Sequence, residues 1–331
     1  KLGALQRQSI DTKGAIESFQ RAILLGDQLL KAMPGDVDVM RQLARANDQM
    51  GRMAASIGLD EALRHTRRAV EIREELNFMG VGDRRALAEL ASSYATLGLV
   101  LGRRGDTSES LDAYRKNLSM QERIAALHPS DVGAQRTVML AMSHIGDTLG
   151  NSHMLNLGRY AEGAAMYAKV VEKARWLVSV DPEDKKAKLD LAFALLRYGN
   201  TLRASGRYKQ AWEAMEESRL LLDRRIQQDP ANSLLKQNRA FLHFQFAELH
   251  ANEGRHALGL SRNQEAMAEL QELIQADPRE ANNPRMLLEC RLLHPELLAG
   301  AGQTSAASAA AKDLLAFVQK GKFTKSSEAR L

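Results

Sequence analysis

Cysteine is nearly missing from this chain of 331 residues: Cys290 stands alone, so an intramolecular disulfide framework is excluded. Proline is sparse at seven residues and aromatics make up only 5%. Alanine and leucine are abundant instead, a mixture suited to helices that approach closely through small side chains. No segment alternates apolar and polar residues as a strand does, and no apolar run approaches the ~20 residues of a membrane helix. A strong charge of one sign is also missing. The 46 basic and 41 acidic residues leave +5, whereas a nucleic-acid binder concentrates positive charge on one face or run. One basic stretch stands out, the tail with Lys320, Lys322, Lys325 and Arg330, and it is expected to be a solvated, disordered end.

Catalytic signatures are absent as well. Gly80-Val81-Gly82 falls between two predicted helices with no strand before it, which a dinucleotide fingerprint requires. There is no phosphate loop and no nucleophile elbow. The eight histidines lack metal-ligand spacing; His250 and His256 flank a turn six residues apart and read as packed or capping side chains. Nothing beside Cys290 argues for a lowered thiol pKa, so a buried thiol is expected. Asn117-Leu118-Ser119 matches the glycosylation triplet but lies in a predicted helix. The expectation for this chain is no enzyme, no cofactor and no metal.

What the chain has is a beat. Glycine recurs at 3, 51, 98, 146 and 199, spaced 48, 47, 48 and 53 residues apart, and Ala247 and Pro295 continue it at 48. A fixed period of this length marks stacked helical hairpins. Companions follow these glycines at set offsets with few exceptions, the turn of the second unit being one residue shorter. Turn glycines stand at 58, 105, 158, 206, 254 and 302; small residues at Ala15, Ala62, Ser110, Gly163, Ala211, Gly259 and Ala307; prolines at Pro34, Pro129, Pro182, Pro230 and Pro278. In the first unit Ile10 replaces the turn glycine. A turn glycine can enter the left-handed region and close a tight connection. The other small residues lie where two arms cross, and proline ends one helix and opens the next. Leu189, Phe193 and Leu196 before Gly199 keep a helical period.

The string Leu195-Leu196-Arg197-Tyr198-Gly199-Asn200-Thr201-Leu202, through Gly206-Arg207-Tyr208 to Ala211, resembles the tetratricopeptide repeat. That family has units of about 34 residues, against 48 here. The glycine-to-small spacing is unchanged at 12, so the extra residues divide equally between the two arms, adding about two turns or ~10 Å to each. The resemblance implies an all-α fold, an α-solenoid with a right-handed superhelix of about seven antiparallel hairpins. One repeat domain is expected over 1–319, with units near 1–34, 35–81, 82–129, 130–182, 183–230, 231–278 and 279–319, then the tail 320–331. The chain starts at Lys1, two residues before the first repeat glycine, as if cut inside a helix with more protein upstream.

Two units break the beat. The fourth is five residues too long, and Asn151-Ser152-His153-Met154-Leu155-Asn156 is expected to form a loop at one edge. In the seventh, Pro295 removes a backbone donor and predicts a kink or early break within a capping hairpin. Ile145-Gly146-Asp147-Thr148-Leu149-Gly150-Asn151, followed by Asn156-Leu157-Gly158, is similar to long-unit arrays of bacterial serine/threonine protein kinases; Asp11-Thr12-Lys13-Gly14-Ala15 and Tyr114-Arg115-Lys116 look alike too. There the array follows a kinase domain and a membrane span. None of the kinase's own motifs is present in this chain.

In the resembled family, first-arm residues six and three before the glycine, and one, four and five after it, face a concave groove. Carried onto this chain, the fifth unit offers Phe193, Leu196, Asn200 and Arg203, and the sixth offers Phe241, Phe244, Glu248 and Asn252. The second offers Arg45, Asp48 and Arg52. An apolar groove flanked by polar groups suits an extended or helical peptide. No lysine occupies the positions of the family's carboxylate clamp, which disfavours chaperone-tail binding. The function expected is a non-catalytic protein-interaction scaffold for a protein or peptide, in the cytoplasm unless the array follows a membrane span. A nucleic-acid-binding solenoid is the alternative, resting on the basic pI alone.

Overall fold

The computed structural model describes residues 12–80 and 84–320. Among them are thirteen helices of 16 to 21 residues, one four-residue helical turn, and no strand. No helix is long and apolar enough to cross a membrane. The chain divides into two compact units, 1–180 and 181–331.

The first unit holds α1 (Thr12–Ala32), α2 (Val37–Arg52), the turn α3 (Ala54–Ile57), α4 (Leu59–Phe78), α5 (Arg84–Arg104), α6 (Thr107–Leu127), α7 (Val132–Gly150) and α8 (Tyr160–Val180). Helices α2 and α4, α5 and α6, and α7 and α8 pair as hairpins, and each second arm packs on the next first arm. The second unit repeats the scheme with α9 (Lys185–Ala204), α10 (Tyr208–Gln228), α11 (Ser233–Asn252), α12 (His256–Ala276), α13 (Asn282–Gly300) and α14 (Thr304–Lys320). Arms of 20 or 21 residues, about 30 Å long, match the two added turns. The first arm of the first hairpin, with Gly3 and Ile10, lies outside the described residues, as does most of the basic tail.

All six turn glycines adopt the left-handed conformation they were expected to need, with φ between 68° and 98°. At Gly206 the next amide, Arg207 N–H, donates to Leu202 O at 2.9 Å, and Arg255 N–H repeats this to His250 O at 2.8 Å; these are the bonds that close a helix C-terminus around a left-handed residue. The repeat-marking prolines Pro34, Pro129, Pro182, Pro230 and Pro278 all fall between arms. Two residues after four of them an Asx side chain caps the new helix. Asp36, Asp131, Asp184 and Asn232 accept from the backbone N–H of Val39, Ala134, Lys186 and Leu235, each satisfying a donor the helix leaves open.

The beat glycines make room for a bulky neighbour. A Cβ on Gly98 would sit 2.7 Å from the Tyr114 ring, one on Gly146 2.7 Å from Tyr167, and one on Gly199 2.6 Å from Met215. Gly51 faces Thr66 in the same way. Each of these partners lies four residues after the small residue of its second arm, one helical turn further along the crossing. Where α7 crosses α8 the backbones meet directly: a Cβ on Gly163 would lie 3.2 Å from Gly150 N. Polar pins recur beside these contacts. Asn117 Nδ2 donates to Ala91 O and Ser218 Oγ to Ala192 O, both at 2.7 Å. Asn117 is thus buried inside a helix hairpin, where a glycan has no access.

Pro295 does not break its helix. Helix α13 runs through it to Gly300, because Leu297 and Leu298 beyond the proline are buried against Ala247, Leu260 and Ala307. That apolar anchorage holds the last turn despite the missing backbone hydrogen bond.

Candidate functional site

The fifth- and sixth-unit candidates sit on α9 and α11, the first arms of neighbouring hairpins in the second unit. Phe193 and Phe241 are half-buried, six residues before the beat position. Leu196 and Phe244, three before it, are buried. Phe244 packs among Ala266, Leu270, Met286 and Cys290, with the Phe241 ring 6.4 Å away by centroids. The polar candidates converge on one guanidinium. Arg203 donates to Asn252 Oδ1 at 3.2 Å and to Asn200 Oδ1 at 3.2 Å, and pairs with Glu248 at 3.1 Å. Asn200 is buried, Glu248 half-buried and Asn252 exposed. The first arms of the second unit therefore carry two partly open phenyl rings and, about three turns further along α9 from Phe193, a charge already neutralised.

The second-unit-in-sequence candidates behave differently. Arg45 and Arg52 are exposed, but Asp48 is buried at 4% and pairs with buried Arg73 of α4, while Ser93 Oγ of α5 donates to it at 2.8 Å. Asp48, Ser143, Leu196 and Phe244 all stand three before the beat and are all buried. Asp48 reaches α5, and Phe244 reaches α13, so at these residues the position looks into the seam between successive hairpins, whereas Ala95 at the same offset is half-buried and Leu292 exposed. The position six before the beat stays open or half-open at Arg45, Ser92, Leu140, Phe193 and Phe241. Leu99 and Leu140 of the first unit are 44% and 49% exposed. Sequence reasoning passed over them, although their offsets of one after and six before the glycine are groove positions.

Other candidate chemistry is absorbed by packing. Burial pushes the Cys290 thiol up to about 12, with Glu289 and Glu248 adding to the shift. His250 stacks edge-on 4.8 Å from Trp212, and burial lowers its pKa. His256 occupies the space that glycine leaves at Gly300. Among the described residues no group of three or more His, Cys, Asp or Glu side chains is arranged to hold a metal ion.

The insertion in the fourth unit forms a loop, as expected, between α7 and α8. It is held by its asparagines. Asn156 Nδ2 donates to Asn151 O and Met154 O, both at 2.9 Å, and Asn156 Oδ1 accepts from Gly158 N at 2.7 Å. Leu157 N–H then donates to Thr148 O at 3.0 Å and Arg159 N–H to Leu149 O at 2.8 Å, tying the loop back onto the helix end. Met154 and Leu155 at its tip are exposed. Asn156→Ala is expected to cost about 1–2 kcal/mol, since each such bond contributes about 0.5–1.5 kcal/mol net. It should sharply accelerate proteolytic cleavage within 151–157; unchanged cleavage would show that the asparagine does not hold the loop.

No family model and no curated protein matches the sequence. Among solved structures, the chain is similar to BtubC (BKLC) from P. vanneervenii, at 14% identity over 81% of this chain and 95% of that one, with a TM-score of 0.53. It also aligns with a tetratricopeptide repeat protein from Parabacteroides merdae, at 15% identity, 96% of each chain and a TM-score of 0.42. A third match is a Rap protein complexed with competence and sporulation factor, at 15% identity, 92% and 85% coverage and a TM-score of 0.42. At these identities the likeness is one of fold alone: an array of antiparallel helical hairpins.

Proposed function

We propose that the chain is a protein-interaction scaffold and that the face presented by α9 and α11 captures a peptide or partner helix through Phe193 and Phe241. The observation that carries this reading is the pair of half-open phenyl rings on neighbouring first arms, with the Arg203 network further along the same helices. Aromatic anchors with polar groups at the edge are the usual makings of a binding hot spot. Leu196 and Phe244 support that face from below. Peptides selected from a display library against the full chain are expected to bind a Phe193→Ala/Phe241→Ala variant at least about tenfold more weakly, with the far-UV helical signal retained. Equal affinity would remove the face as the site, and lost helicity would mark the rings as core.

The finer form of this reading is a docking or sensory region of a bacterial signalling protein, beside a serine/threonine kinase domain. Its support is the similarity of residues 145–151 and 156–158 to the arrays of such kinases. A kinase domain and membrane span encoded upstream of Lys1 are the expected observation, and a different neighbour would withdraw the finer form.

A further inference from the structure

The first-arm face of the first unit differs in kind from that of the second, and it points to a ligand of different chemistry. We infer that this face docks an acidic peptide segment carrying an apolar side chain. Three exposed arginines line it: Arg45 and Arg52 on α2 and Arg103 on α5, at the offsets six before, one after and five after their glycines. Among the described residues none of the three meets a carboxylate; Arg52 Nη2 donates to the neutral Ser92 hydroxyl at 2.8 Å. Other arginines of the same unit are matched, Arg67 to Glu109 at 2.9 Å, Arg84 to Asp131 at 2.8 Å and Arg104 to Asp60 at 3.1 Å. The two acids that share their offset pattern, Asp48 and Asp147, are buried, Asp48 spent on Arg73 and Asp147 on Asn151 and Tyr167.

The Arg52–Ser92 hydrogen bond fixes the register of the face. It joins the residue one after the glycine on one first arm to the residue six before it on the next. The same offsets place Leu99 of α5 toward Leu140 of α7, and these are the exposed leucines of 44% and 49%. The surface thus runs from guanidinium groups to an apolar step. Guanidinium forks bind carboxylates in two-pronged fashion, and the leucines give an adjacent apolar side chain a place to be buried. A nucleic-acid strand fits less well: it calls for a continuous basic track and aromatic platforms for its bases, whereas leucines interrupt the charge here.

The test uses the full chain and fluorescence anisotropy. The probe is a fluorescein-labelled peptide in which glutamates flank a Leu-Leu pair. It is compared with the same peptide carrying lysines and with a single-stranded oligonucleotide of equal negative charge. The glutamate peptide is expected to bind, and Arg45→Glu/Arg52→Glu to weaken it by at least about tenfold at an unchanged melting temperature; Arg45→Gln/Arg52→Gln serves should the reversal disturb folding. Phe193→Ala/Phe241→Ala should leave this affinity intact, which separates the inference from the capture proposed for the α9–α11 face. Absence of binding up to about 1 mM, equal binding of the lysine peptide, an arginine variant of full affinity, or preference for the oligonucleotide would each overturn it, the last in favour of a nucleic-acid surface.

Discussion

Asp48→Ala is expected to destabilise the first unit by about 3–5 kcal/mol, the usual result of removing one partner of a buried ion pair. Arg73 is 7% exposed and depends on Asp48 and the Ser93 hydroxyl for its charge, and its Nε lacks a hydrogen-bond partner. Without the carboxylate its charge is uncompensated in the seam between hairpins. The pair as a whole is worth far less than this, because both groups lost their hydration on burial. Asp48→Leu combined with Arg73→Met should therefore recover most of the loss. Urea denaturation of the full chain, followed by circular dichroism, measures both. A single-variant loss within about 1 kcal/mol would mean that water reaches the pair.

The second large effect concerns Tyr167, which is fully buried against Gly146 and donates from its hydroxyl to Asp147 Oδ1 at 2.6 Å. Tyr167→Ala should cost about 3–5 kcal/mol through the cavity it leaves and the loss of that hydrogen bond. Gly146→Ala alone should cost about 1–3 kcal/mol, since its methyl group would strike the ring. The two together should cost less than their sum, because the added methyl occupies part of the space the ring vacates. Simple additivity in a double-mutant cycle would refute the pairing of glycine with the residue four beyond the crossing.

Much of this architecture was legible because backbone geometry demands particular residues. Only glycine takes the left-handed conformation at no cost, so Gly206 and Gly254 announce their turns, and prolines cannot sit inside hydrogen-bonded turns without penalty. The surplus of five residues after Gly146 likewise located the loop. The capping Asx two residues after four of the prolines was equally readable but passed over. What pattern could not supply was the direction in which a first-arm residue looks. The groove offsets came from a family with shorter arms. Phe244 and Leu196 lie at an offset that successive hairpins cover, and the same seam takes in the charged Asp48. Pro295 did not end its helix for a related reason: a local rule about one lost hydrogen bond was outweighed by Leu297 and Leu298, whose burial depends on residues far away in the chain.

The matching of Gly98 with Tyr114, Gly146 with Tyr167 and Gly199 with Met215 has a consequence for how such an array can be inherited. Both members of each match belong to one hairpin. A recombination crossover at a proline-marked junction transfers the match whole, so repeats can be gained or lost with their internal fit preserved. A crossover in the glycine turn would set the Tyr114 arm opposite Ala247, where a methyl group already fills the space the ring needs. The hairpin, and not the single helix, is therefore the smallest piece of the array whose internal fit is self-contained, while the position six residues before each glycine stays open or half-open.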